Sequence, residues 1–265
     1  MEKTSKKAPR AKKSWGQNFL KNPLVFEPII RRLSSIYPSV IEIGPGTGSL
    51  TGVLLNYFSE VHAIEKERDV ISYLKEHFTE YQGKFFLYEQ DVLEFDFSSM
   101  GEELCIFGNI PYYITAPILE QIYVNENIQK AVILMQKEVA ARLVCDVASR
   151  ESSPLTYTFA LDFNVDKLFT LGPKSFRPAP KVDSTAVLLS RRKSSLDKEI
   201  RLIYRELVKN AFQQRRKKIK NSLSAFLNDE EIKSVGVDPL LRAENLEIAD
   251  YLSLAKLLLG KRGND

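Results

Sequence analysis

Between residues 39 and 148, short apolar runs alternate with stretches of helical period. Val40–Ile43, Val61–Glu65, Phe85–Tyr88, Leu104–Phe107 and Ala131–Met135 have the length and the β-branched or aromatic content of buried strands. Helices are predicted over Ser49–Tyr57, Glu67–Phe78, Ala116–Tyr123 and Lys137–Ala148. In the second of these, Val70 and Leu74 share a face with His77 or Phe78. This βαβα rhythm predicts a parallel sheet covered by helices on both faces, with ligands beyond the carboxyl ends of the strands. Past residue 155 the rhythm changes. Thr156–Phe163, Val165–Leu171 and Ala186–Ser190 read as strands with no helix between them, an antiparallel end to the same sheet. SRRKSSLDK (190–198) is polar and aperiodic, hence a linker. Beyond it the pattern is helical, with Ile248, Tyr251, Leu252, Ala255 and Leu259 at i, i+3, i+4, i+7 and i+11. The chain therefore reads as α/β over 14–190 with a smaller all-helical domain over 191–265.

Composition adds a core and a charge pattern. Hydrophobic residues make up 44% of the 265, enough to exclude a disordered chain. No apolar run approaches the roughly 20 residues of a membrane helix. The basic N-terminus has no apolar stretch behind it, so no secretory signal is expected. Cys105 and Cys145 fit neither a disulfide framework nor zinc spacing; both are expected to be buried thiols in a reducing cytoplasm, and no metal site is expected. Residues 1–13 hold six Lys/Arg against one acid, and residues 190–222 hold twelve against three. At an overall charge of +4, the rest of the chain must carry −10. An acidic body with two basic segments suggests a polyanion held at defined places, although either segment alone could equally be a solvated surface.

The first strand runs into EIGPGTGSLT (Glu42–Thr51). Gly44, Gly46 and Gly48 allow a tight turn and bring backbone N–H groups close to a ligand. The third glycine comes one residue too early for the dinucleotide fingerprint, and Ser49 takes its place. Glu65 lies 21 residues after Gly44, about the interval at which an acid reaches ribose hydroxyls. A nicotinamide cofactor and S-adenosylmethionine both carry such a ribose, so this pair does not choose between them. Asp91, just past the third strand, is placed to accept from the amine of a bound adenine; a turn or cap is the alternative.

The fourth strand opens onto Gly108-Asn109-Ile110-Pro111-Tyr112-Tyr113. An aromatic amine such as adenine N6 is a poor nucleophile, because its lone pair is delocalised into the ring. Two acceptors on its two N–H bonds favour a pyramidal nitrogen whose lone pair faces an incoming methyl group. Asn109 supplies a side-chain carbonyl. Ile110, before a proline, is extended and can turn its own carbonyl into a cleft, while Pro111 fixes φ and removes a donor. Tyr112 offers a face to a purine. Acceptors held in advance act by orientation and electrostatics.

GQNFL (16–20), EIGPGTGSLT, IEKERD (64–69), QDVLEFDF (90–97) and GNIPYYI together resemble the rRNA adenine N6-dimethyltransferases. FRPAPKVDS (176–184), AFQQRRKKIKNSL (211–223) and RAENLEIADY (242–251) resemble the bacterial KsgA branch, and the likeness covers nearly the whole chain. It implies a Rossmann-like S-adenosylmethionine-dependent methyltransferase sheet and S-adenosyl-L-methionine as methyl donor. It also implies, as target, two adjacent adenosines in the 3′-terminal hairpin loop of 16S rRNA, each methylated twice in an immature small ribosomal subunit. A cytoplasmic monomer is expected. By resemblance, Asn18 and Leu20 close over the cofactor, Gly44 and Gly46 approach its methionine end, Glu65 holds the ribose and Asp91 the adenine amine. Asn109 belongs to both the cofactor pocket and the catalytic group; with the Ile110-Pro111 backbone it holds the target N6, and Tyr112 stacks on the base. Ile110 stands where Leu is common and Tyr113 where Asn is common.

Loop adenosines cost less to extrude than paired ones, and Lys/Arg contacts to phosphate supply salt-sensitive affinity. The strongest candidates are Arg215, Arg216, Lys217, Lys218 and Lys220. In a continuous helix Phe212, Ile219 and Leu223 would share a face flanked by Arg215 and Arg216. Either those arginines are partly buried and paired, or the helix breaks there. The competing readings are an Erm-type large-subunit rRNA adenine methyltransferase, a nicotinamide dehydrogenase and a non-catalytic assembly factor.

Overall fold

The computed structural model describes residue 9 and residues 18–263. The basic tail expected over 1–13 lies, apart from Pro9, outside the described residues. In chain order the elements are β1 (Phe19–Leu20), α1 (Glu27–Ser34), β2 (Ser39–Ile43), α2 (Ser49–Leu54), β3 (Glu60–Glu65), α3 (Arg68–His77), β4 (Phe85–Glu89), β5 (Leu104–Asn109) and α4 (Thr115–Val124). There follow β6 (Ile128–Gln136), α5 (Lys137–Val144), α6 (Pro154–Asp162), β7 (Phe163–Leu171), β8 (Phe176–Arg177), β9 (Ser184–Arg191), α7 (Lys198–Gln213), α8 (Ile219–Ser222), α9 (Asp229–Ser234) and α10 (Ile248–Arg262).

Seven strands form one sheet in the order β4-β3-β2-β5-β6-β9-β7. The pairs from β4 through β6 are parallel, and β9 runs antiparallel to β6. Strand order reverses between β2 and β5, where a doubly wound sheet leaves a crevice. The register places the strand ends side by side: Ile43 lies opposite both Ile64 and Gly108, and Glu65 lies opposite Glu89. Gly44, Glu65, Gln90 and Asn109 therefore leave the sheet at nearly one level. The core is close-packed where Phe26 and Phe58 each meet Phe107 edge to face, with ring centroids 6.3 Å apart. Arg191, at the end of β9, ties this unit together. Its guanidinium donates to the carbonyls of Ile122, Tyr123, Asn125 and Ile128, satisfying the C-terminal end of α4 and the start of β6.

The chain forms two compact units, residues 1–140 with 166–191 and residues 141–165 with 192–265. A single cut near 190 was expected; instead 141–165 packs with the C-terminal helices. The reason lies in Thr156–Phe163, which was expected to be a strand. It is α6, whose Tyr157 is fully buried among Tyr204, Leu207, Leu246 and Tyr251. The buried hydroxyls are satisfied: Tyr157 donates to the Leu246 carbonyl and accepts from Ala148 N–H, while Tyr204 donates to the Tyr157 carbonyl and Tyr251 to that of Ala243. In α10 the buried face is Tyr251, Leu254, Ala255 and Leu258, rotated by about one position from the pattern expected. Both cysteines are free thiols; Cys105 is buried, but Cys145 only partly so. Among the described residues no helix is long and apolar enough to cross a membrane.

Candidate active site

The crevice at the strand reversal is a cleft of about 1070 Å³, open solvent at its mouth included. Asn18, Leu20, Gly44, Gly46, Glu65, Asp91, Asn109, Pro111 and Tyr112 all line it. The residues singled out from five separate motifs thus converge in one place.

The glycine turn forms the floor. Gly44, Gly46 and Gly48 all have positive φ, at 65°, 57° and 76°. A Cβ on Gly44 would meet no protein atom within 4 Å, so this backbone faces open space. A Cβ on Gly46 would come within 2.8 Å of the Phe19 ring. Phe19 belongs to β1, which is held over the turn by antiparallel pairing with β8 and by Lys21 N–H donating to the Ser175 carbonyl.

Two acids stand along the next strand ends. Glu65 is 8% exposed, and its Oε1 accepts from the N–H groups of Lys66 and Glu67, both at 2.9 Å. Burial pushes its carboxyl pKa up, and those N–H groups oppose the rise. Asp91 accepts from Leu93 N–H through Oδ1 and from the Lys66 ammonium, at 2.8 Å, through Oδ2. Burial alone would raise its pKa, but Lys66 and the Leu93 amide outweigh it and hold the group ionised below the usual carboxylate range. Each oxygen keeps a second lone pair for a ligand donor. A third acid, Glu42, lines the cleft at 2% exposure and accepts from the Thr51 hydroxyl at 2.6 Å. Burial pushes its carboxyl up to about 8; the Thr51 bond works against this and nearby Glu65 adds to it.

Asn109 ends β5 on the opposite wall. Its Nδ2 donates to the Asn18 carbonyl at 2.9 Å, which fixes the amide orientation and leaves Oδ1 as the acceptor of the pair. Ile110 is buried, and its N–H points back to Leu134 O at 3.3 Å. Pro111 is extended, with φ −55° and ψ 136°. Tyr112 is partly buried and Tyr113 is 55% exposed, both on the cleft. Phe176, from FRPAPKVDS, is a further wall residue without a role from sequence. Lys66 is another; only three-dimensional proximity brings its ammonium to Asp91.

The basic stretch lies in the second unit. The helix does break: α7 ends at Gln213, and Lys218 is extended ahead of α8. Arg215 is partly buried and paired as well, donating to Glu244 and to the Arg150 carbonyl, so the helix break and, for Arg215 but not for Arg216, the pairing both hold. Lys220 pairs with Asp229 at 2.8 Å. Arg216, Lys217 and Lys218 are exposed.

The family model for ribosomal RNA adenine dimethylase matches residues 8–259. Proteins named ribosomal RNA small subunit methyltransferase A from Aromatoleum aromaticum and Marinobacter nauticus are 33% and 36% identical over 261 residues. These matches cover 95% and 96% of this chain and 96% and 94% of theirs. Among solved structures, a dimethyladenosine transferase from Plasmodium falciparum is 26% identical, with a TM-score of 0.76 over 92% of this chain and 98% of that one. The 23S rRNA methyltransferase ErmE, 24% identical with a TM-score of 0.71 over 91% and 99%, shares the fold. With a family model matched over residues 8–259 and relatives along nearly its whole length, the chain belongs to the ribosomal RNA adenine dimethylase family.

Proposed function

We propose that this chain dimethylates N6 of two adjacent adenosines in the 3′-terminal hairpin loop of 16S rRNA, acting as a cytoplasmic monomer on the immature small ribosomal subunit. The observation that carries the reading is the Asn109 amide. One of its two N–H bonds goes to the Asn18 carbonyl, which sets which way round the amide sits and leaves Oδ1 to accept from a ligand. An acceptor at that point suits an amine.

The cleft fits an adenosine-bearing donor: open space over Gly44, a carboxylate beyond β3 and another beyond β4. Bound there, S-adenosyl-L-methionine would supply a methyl group activated by a sulfonium, whose S–CH3 bond breaks as the N6–CH3 bond forms, the sulfur leaving as a neutral thioether. Gly44 and Gly46 admit its methionine end, Glu65 accepts from the ribose hydroxyls, Asp91 accepts from the adenine amine, and Asn18 and Leu20 close over it. On the other wall, Asn109 Oδ1 and the Ile110 carbonyl accept the two N–H bonds of the target N6. Gripping both bonds turns the lone pair out of the ring plane and towards the donor wall. Tyr112 receives the face of the extruded base. The alkylated nitrogen is strongly acidic, so its proton leaves to water along the same acceptors and no strong base is needed. After one transfer a single N–H remains for a second round.

Affinity for the RNA comes from phosphate contacts by Arg216, Lys217 and Lys218, while Arg215 and Lys220 shape the loop that presents them. The test is transfer of labelled methyl groups to unmethylated 30S particles and, separately, to 50S particles. Label in 16S rRNA as N6,N6-dimethyladenosine is expected. Label confined to 23S rRNA would instead make the chain an Erm-type enzyme.

A further inference from the structure

Most of FRPAPKVDS has no task in the chemistry above, yet its last residue touches the site. Ser184 opens β9, is 1% exposed, and places its hydroxyl 2.9 Å from the phenol oxygen of Tyr112. The two residues are 72 positions apart, so the contact is set by the sheet and not by a local turn. Asn109 lies opposite Leu134, and Leu134 opposite Ala186. Ser184 is thus two residues along the same ladder from the level of Asn109, on the same face of β9 as Ala186. Its backbone is held further, because Lys137 N–H donates to the Asp183 carbonyl at 3.0 Å.

We propose that Ser184 is a positioning residue that fixes the Tyr112 ring as the platform for the target adenine. The inference rests on the methyl-transfer reading above. The Tyr112 main chain leaves Pro111 in a short helical turn that fixes one end of the side chain. The phenol oxygen lies on the χ2 axis, so a bond there stops the ring from swinging about χ1. A phenolic O–H also prefers the plane of its ring, so the direction of Ser184 biases the ring plane as well. Two points on one ladder, Asn109 and Ser184, then set the separation between the amine's acceptor and the base's stacking face. Without the second point the base could still enter, but its N6 would sample positions away from Asn109 Oδ1. Burial pushes the Tyr112 phenol pKa up, and the Ser184 bond opposes that rise.

The test uses the full chain, a hairpin RNA of the target loop and four variants: Ser184→Ala, Tyr112→Phe, the double variant, and Ser184→Thr. Loss of one neutral hydrogen bond is worth roughly fivefold to tenfold in rate. Ser184→Ala and Tyr112→Phe are each expected to lower kcat by about that factor, with KM for RNA and cofactor affinity within about twofold of wild type. The double variant is expected to be no slower than either single one, since all three lack the same bond. Ser184→Thr, which keeps the hydroxyl, is expected to recover most of kcat. A hairpin carrying 2-aminopurine at the target position gives a readout that a purely structural role would not move. Its emission in the complex is expected to be brighter with Ser184→Ala, because the base stacks less firmly. Should Ser184→Ala fail to fold, Tyr112→Phe removes the same bond from a partly buried ring and decides the matter alone. A wild-type kcat in the folded single variants, or losses that multiply in the double variant, would overturn the inference while leaving the methyl-transfer reading intact. A wild-type chain that transfers no methyl to rRNA would instead overturn the reading beneath it.

Discussion

Gly44 and Gly46 sit two residues apart, with the same sign of φ, yet the same substitution should fail for different reasons. Alanine at either site adopts a left-handed conformation at a cost of about 1 kcal/mol. At Gly44 nothing more is lost in the free protein, since the new Cβ has no neighbour within 4 Å. At Gly46 the Cβ would lie 2.8 and 2.9 Å from two Phe19 ring atoms, against an ordinary carbon contact of about 3.5 Å or more. The ring must retreat by roughly 0.7 Å. It carries with it the strand that presents the Asn18 carbonyl to Asn109, so a hydrogen bond worth about 1 kcal/mol is disturbed as well. Gly46→Ala is therefore expected to lose about 2 kcal/mol of stability and Gly44→Ala about 1. At this chain length that is apparent melting shifts of about 4–8 °C and 2–4 °C. Saturating S-adenosyl-L-methionine should reverse the order. The Gly46→Ala methyl points at Phe19 and leaves the space over Gly44 open, so this protein should keep a reduced but clear gain in stability from the ligand, whereas Gly44→Ala puts a methyl group where the ligand approaches and should gain almost nothing. Differential scanning fluorimetry with and without the ligand reads both effects. A wild-type ligand-induced shift in Gly44→Ala would refute the assignment of that backbone to the cofactor.

Other expectations follow from single groups. Folded Glu42 keeps its proton up to about pH 8, whereas the unfolded chain loses it near the ordinary 4.5. The burial penalty is therefore absent below pH 4.5 and grows to full size by about pH 8, so stability falls as pH rises through that window. Glu42→Gln should flatten this slope in urea midpoints at pH 5 and pH 8; equal slopes would mean that Glu42 ionises normally. Arg191→Met strips donors from four carbonyls and should cost about 2–4 kcal/mol in chemical denaturation. A loss below about 0.5 kcal/mol would mean that water replaces the guanidinium without penalty. Replacing Lys217 and Lys218 together by Ala should weaken hairpin binding and reduce the log Kd–log salt slope by about two, one for each phosphate contact. An unchanged slope would remove that loop from the RNA interface.

The strands β2 to β6 were legible because each is an apolar run bounded by Gly, Pro or polar residues, and their order alone puts the chemistry at strand ends. Thr156–Phe163 misled for a physical reason. Its β-branched and aromatic residues are buried around much of the helix, which hides the period of 3.6, and tertiary packing outweighs their strand preference. The available signal was the start: Ser153 caps the Thr156 N–H, Thr156 reciprocates, and Pro154 occupies the first turn. The site was legible as motifs but not as contacts. Asn18 and Asn109 are 91 residues apart, and no local pattern announces that a backbone carbonyl sets the orientation of a carboxamide. Nor could charge spacing show that Lys66 reaches Asp91, or that Arg215 turns to Glu244 while Arg216 stays in solvent.

What matters most is whether the Asn109 carboxamide acts on the amine and not on the donor. Single-turnover methyl transfer to unmethylated 30S particles by Asn109→Ala, beside calorimetric titration of S-adenosyl-L-methionine into the same protein, separates the two. Transfer is expected to fall roughly a hundredfold or more while donor affinity stays within a few-fold. A near-normal transfer rate would show that other groups hold N6.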